Sequence, residues 1–151
     1  MAGIALKIEM DGLKGLEGRL NALASFGDVG RRALLSDIGE EVISQTRQRF
    51  RDEKAPDGTA WKRSQRAEAE GGQTLTDTGR LKNSINRNLG VDFVEVGTNV
   101  VYGAIHQLGG EAGKGHAIVL PPRPYLPEGI EQVDSLDTMV DALIARLVGG
   151  L

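Results

Sequence analysis

Two histidines and no cysteine bound the metal chemistry open to this chain. His106 and His116 stand ten residues apart with Glu111 between them. Two imidazoles and a carboxylate make a chemically reasonable zinc donor set. The spacing, however, is not the i, i+4 pair of an H-E-x-x-H helix. The plainer alternative is that His106 hydrogen-bonds locally and His116 is an exposed loop residue. Serines at 25, 36, 44, 64, 84 and 135 include none in a G-x-S-x-G elbow. Only Ser84 can be imagined near His106. Glu40 and Glu41 are adjacent on a helical pattern, so they do not face each other. Gly109-Gly110 and Gly113-Lys114-Gly115 match neither phosphate-loop nor dinucleotide spacing. The residues therefore point to no catalytic, cofactor or metal site. A small metal-dependent hydrolase using His106 and His116 is the enzymatic alternative.

Charge carries more information. Over residues 45–66, Arg47, Arg49, Arg51, Lys54, Lys62, Arg63 and Arg66 oppose only Asp52, Glu53 and Asp57, a local charge of +4. From residue 127 onward, Glu128, Glu131, Asp134, Asp137 and Asp141 oppose only Arg146, a local charge of −4. Such a split suits head-to-tail association, in which one patch meets a different patch on the next copy. It is equally what a dipolar surface without a partner would show. The basic stretch is also a candidate DNA contact, but Phe50 and Trp61 are its only aromatics and the 151-residue chain is acidic overall, at −3. No apolar run approaches the roughly 20 residues of a membrane helix, and the start lacks the pattern of a secretory signal.

The elements that must position these residues follow from periodicity. Ile4, Leu6, Ile8 and Met10 alternate with Ala5, Lys7 and Glu9, which predicts a strand with one buried face. Asp11 is a candidate cap for a helix striped by Leu13, Leu16, Leu20 and Leu23 and ending near Gly27. Asp28 is a candidate cap for the main amphipathic helix, over roughly 29–52. Periodicity then stops. Ala55-Pro56-Asp57-Gly58 is a turn, and 54–76 reads as a long flexible loop. Thr76-Asp77-Thr78-Gly79 opens a short helix through Leu81. Residues 85–89 and 93–97 flank a hairpin turn, and 101–108 makes two helical turns stopped by Gly109-Gly110. Residues 112–116 read as flexible, 117–120 as a short strand, and 121–124 as extended chain. Pro127 is placed at the first turn of a last helix striped by Ile130, Val133, Leu136, Val140, Leu143, Ile144 and Leu147. The sum is one α+β domain over 1–151, with a small antiparallel sheet against about three longer helices.

Against that frame a few side chains stand out. Trp61, the one tryptophan, follows Pro56-Asp57-Gly58 and can anchor its own loop or dock into a neighbouring subunit. Tyr102 and His106, four apart, share a helical face. They either tie that helix to the sheet or line a subunit contact. Arg123, beside Pro122 and Pro124, presents a rigid guanidinium to a carboxylate of the last helix or to another subunit. The 21 glycines invite loops that order against a partner.

Phe50, Pro56-Asp57-Gly58, Trp61 and Leu75-Thr76-Asp77-Thr78-Gly79-Arg80-Leu81 form one ordered block, continued by Ser84-Ile85. Val96-Gly97-Thr98, Tyr102-Gly103-Ala104-Ile105-His106-Gln107-Leu108-Gly109-Gly110 and Pro122-Arg123-Pro124-Tyr125-Leu126 form a second. This order, over roughly residues 50–126, resembles the phage virion morphogenesis family, the tail completion proteins of Mu-like and related tailed phages. It is also similar to phage neck and minor tail proteins. The resemblance implies structural work late in virion assembly, near the head–tail junction, with no catalytic residues and no cofactor. It implies other phage tail or neck proteins as partners, and a homo-oligomer for which a ring is one form. It places the protein in the host bacterial cytoplasm and then in the virion. The family typically carries Ala where Gly103 stands, an exchange expected to matter little.

Overall fold

The computed structural model of the chain describes residues 3–150, without the side chains of Lys14, Glu17 and Leu20. Strand β1 (Ile4–Glu9) pairs antiparallel with β3 (Phe93–Thr98), which pairs antiparallel with β2 (Asn86–Leu89), giving the order β1-β3-β2. The alternation in β1 does what period two requires: Ile8 is buried while Lys7 and Glu9 face solvent. Met10 drops out of the strand into a 3-10 turn, Met10–Leu16. The β2–β3 hairpin lies where the sequence predicted it, with Leu89 opposite Val94.

Helices α1 (Glu17–Ala24) and α2 (Gly27–Asp52) follow the first strand. Leu13, Leu16 and Leu23 are buried as the stripe requires; Leu20 lies outside the described side chains. The two expected caps are corrected. Asp11 sits inside the 3-10 turn, and Leu16 holds the α1 cap position without a side-chain bond. Asp28 lies in the first turn of α2, bonded to Arg31 at 2.7 Å, because the chain turns earlier, at Gly27, with φ of 56°. Helix α2 buries Leu34, Leu35, Ile38, Val42 and Phe50. It crosses the sheet at Gly39, where an added Cβ would come within 2.9 Å of Val94 Cγ2. Glycine at that position permits the close approach, and Val94 and Val96 form the facing surface of β3.

The last helix, α6 (Leu136–Gly149), packs Val140 and Leu143 into the core. It starts at Leu136 and not at Pro127, which is buried in irregular chain. The cause lies in α2. Gln45 donates to the carbonyl of Asp134 at 2.7 Å and accepts from its N–H at 2.9 Å. Both backbone groups are thus satisfied outside a helix, and Ser135 turns left-handed, with φ of 57°, before α6 begins. Helix α5 (Gly103–Leu108) leads into a separate two-stranded hairpin, β4 (Gly110–Ala112) with β5 (Ile118–Leu120). The 112–116 segment, expected to be flexible, is the connection of that hairpin and includes a 3-10 turn at Lys114–His116.

The 54–76 segment is not structureless. It contains α3 (Gln65–Glu70), capped by the Ser64 side chain on Ala67 N–H and closed by left-handed Gly71. Lys54 bridges Ala60, and Gln73 bridges Thr76. The short helix α4 (Arg80–Asn83) then starts from left-handed Gly79.

Candidate functional site

The second motif block closes on itself around residues 123–126. Gln107, on the inner side of α5, reaches that segment with its whole amide. Its Oε1 accepts from Tyr125 N–H and Leu126 N–H, each at 3.0 Å. Its Nε2 donates to the Leu126 carbonyl at 2.9 Å. Buried backbone groups need partners, and among the described residues no strand pairs with this proline-rich stretch to supply them. The Tyr125 hydroxyl donates to the Gly103 carbonyl at 2.6 Å. Arg123 N–H donates to the His106 carbonyl at 2.8 Å. From α2, Arg49 donates to the Tyr125 carbonyl at 3.1 Å. Burial pushes the Tyr125 phenol upward and both the Arg49 and Arg123 guanidinium groups downward.

The first motif block supplies the other half of this clasp. In the turn after α2, Asp57 accepts from Thr59 N–H at 2.8 Å, which holds its carboxyl below the usual range. Glu53 turns left-handed, accepts from Trp61 N–H at 2.8 Å, and accepts from Thr74 N–H through its side chain at 2.7 Å. These bonds aim Trp61 inward. Its ring stands edge-on to Phe50 at 5.6 Å, Phe50 lies 5.2 Å from Tyr125, and the indole N–H donates to the Pro124 carbonyl at 2.8 Å. Three of the six aromatics thus form one buried cluster. Trp61 is thereby seated against its own chain.

A cleft of about 620 Å³ opens on the outer side of this clasp. Gly79, Arg80 and Leu81 form one wall, Tyr102 and His106 another, and Arg123, Leu75 and Leu120 complete the lining with Ser64, Arg66, Asp77 and Thr78. Tyr102 and His106 share a face, with rings 5.9 Å apart, and both line this cleft. The expected local bond of His106 is not made through Nδ1, which is buried without a partner. Burial, reinforced by the charge of Arg123, holds the imidazole below its ordinary pKa. Among the described residues Arg123 does not pair with a carboxylate of the last helix. It is 5% exposed, and its Nε donates to the Lys62 carbonyl at 2.7 Å rather than to a carboxylate of α6.

The enzymatic and DNA-binding alternatives find little geometry. Among the described residues no group of three or more His, Asp or Glu side chains could hold a metal ion. Ser84 Oγ lies 2.6 Å from both the Leu81 carbonyl and Thr98 Oγ1, and it does not line the cleft. The basic stretch is not one stripe: Arg49 is buried, and Arg63 and Arg66 donate to the backbone carbonyls of Ala67 and Gln73. In the acidic region, Asp137 and Asp141 pair with Arg19, and Arg146 pairs with Asp37.

Gly109 turns with φ of 74° against Pro122, so a side chain there would be strained. Gly103 is tighter than expected: a Cβ would meet Thr98 Cγ2 at 2.5 Å. Sequence reasoning missed Gln107 and the inward role of Arg49. The available signal for Arg49 was its place on the buried stripe of α2, between Thr46 and Phe50.

Residues 11–148 match the phage virion morphogenesis family. The chain is 33% identical over 121 residues to "Mu-like prophage FluMu G protein 2" of Haemophilus influenzae, covering 80% of this chain and 83% of that protein. It is 30% identical over 141 residues to "Putative capsid assembly protein G" of Escherichia phage Mu, covering 86% and 88%. No solved structure matches the chain significantly.

Proposed function

The chain belongs to the phage virion morphogenesis family, and on that footing we propose that it is a tail completion protein. It acts at the tail or the head–tail junction through protein–protein contacts, and it catalyses nothing. It assembles in the host cytoplasm, forms a homo-oligomer that closes as a ring, and joins other tail or neck proteins in the virion. The name of the phage Mu relative, "Putative capsid assembly protein G", supports an assembly role.

The observation that carries this reading is how the landmark residues are used. Trp61, Tyr125 and Arg123 are held by carbonyls of their own chain, so they build a rigid frame. A catalytic constellation would instead aim nucleophile, base and orienter at a common point. Inactivating the gene and imaging induced lysates by electron microscopy tests the role. The expected result is heads and tails that remain separate or tails that are incomplete, restored by the gene in trans. Complete, infectious particles without the protein would overturn it.

A further inference from the structure

The cleft beside the clasp carries unbalanced positive charge. Arg66 is compensated by Glu70 at 3.4 Å and Asp77 at 3.8 Å. Arg80 and Arg123 have no carboxylate within ion-pair distance among the described residues. Arg123 is more than nine-tenths buried, and a buried guanidinium is costly unless an anion or a full set of acceptors compensates it. Beside it His106 Nδ1 is buried without a partner. The lining is otherwise apolar, made by Leu75, Leu81, Leu120 and the ring of Tyr102. An apolar lining beside unpaired cations is a receptor for a carboxylate carried on a protein surface.

The same chain holds the complement. Glu128, Glu131 and Asp134 are exposed, line no part of the cleft, and form no ion pair among the described residues. They lie before α6, Glu131 within a 3-10 turn (Ile130–Gln132), and Gln45 pins the Asp134 backbone at the end of the stretch. Asp137 and Asp141, by contrast, are already paired with Arg19.

We propose that the Arg80–Arg123 cleft of one copy receives the Glu128–Asp134 carboxylates of a second copy. The contact joins two different surfaces, so it propagates head to tail and closes as a ring when the rotation allows. This rests on the reading of the chain as a self-associating assembly protein.

Sedimentation velocity on the purified full chain, across concentration and salt, tests it. Arg80 is exposed, its backbone N–H donates to Thr78 Oγ1, and its side chain approaches the Tyr102 ring without an ion pair among the described residues, so Arg80→Glu should fold. The expected result is a wild-type multimer that weakens with salt. Arg80→Glu or the pair Glu128→Arg with Glu131→Arg should each weaken association about tenfold or more, and all three reversals together should restore it. A wild-type chain that stays monomeric, an Arg80→Glu protein that associates normally, or a triple reversal no better than its parts overturns the inference. A monomer whose loss still leaves heads and tails unjoined would sink this contact and leave the assembly role standing. Multimers that respond to charge reversal, from a gene dispensable for virions, would do the opposite.

Discussion

Replacing Gln107 by Met tests whether the clasp is held by hydrogen bonds or merely by volume. Met conserves the approximate size of the side chain, so packing changes contribute less than about 1.5 kcal/mol. The exchange strips three buried backbone groups of their partner: Tyr125 N–H, Leu126 N–H and the Leu126 carbonyl. Each buried group left unpaired costs about 1–3 kcal/mol. Partial relaxation and water entry reduce the sum, and a net loss of about 4 kcal/mol is expected. That is a large share of the 5–15 kcal/mol available to a typical domain. For a chain of this length it lowers Tm by roughly 8–16 °C. The assay is urea unfolding followed by circular dichroism and by fluorescence of Trp61, the single tryptophan. Trp61 bonds the adjacent Pro124 carbonyl and so reports the clasp directly. Gln48→Met, on the exposed side of α2, is the control and should stay within about 0.5 kcal/mol. A loss below about 1 kcal/mol for Gln107→Met would refute the reasoning.

Two further outcomes follow from the same geometry. Gly103→Ala places a Cβ 2.5 Å from Thr98 Cγ2 and should cost about 1–3 kcal/mol by overpacking; an unchanged thermal midpoint would show that α5 shifts freely. His106 is held neutral in the fold by burial and by Arg123, below the roughly 6.5 of a free imidazole. Between the two values the unfolded chain binds more protons than the native one, so stability rises with pH there and is lost as pH falls through about 6.5. His106→Gln should flatten the stability profile between about pH 5 and 7; an unaltered slope would contradict the burial argument.

The fold was legible where one physical signal dominated. Strict alternation from Ile4 to Glu9 admits only a strand with one buried face, and the apolar rhythm of α2 outlasts any loop. The hairpin of β2 and β3 was marked by the turn between two β-rich runs. Helix α3 was invisible to periodicity because it is six residues long and buries only Ala67. Its signals were the Ser64 cap and the left-handed Gly71. The start of α6 was misplaced because a proline in a helical pattern is a local cue, whereas the Gln45 clamp on Asp134 is a contact across 89 residues. For the site, Trp61 and Arg123 could be singled out as unusual residues, but not their partners. Both bind backbone carbonyls, and a carbonyl leaves no trace in the sequence. Gln107 was hidden for the same reason.

The central claim is that this protein works by contact and not by turnover, and the most direct measurement is complementation of a gene-deficient prophage. Phage yield is scored with wild type, His106→Gln and Arg80→Glu, each first shown to be folded. Removing the imidazole should leave the yield within a few-fold of wild type at neutral pH, whereas reversing the charge at Arg80 should reduce it severely. A yield abolished by His106→Gln and untouched by Arg80→Glu would contradict the account.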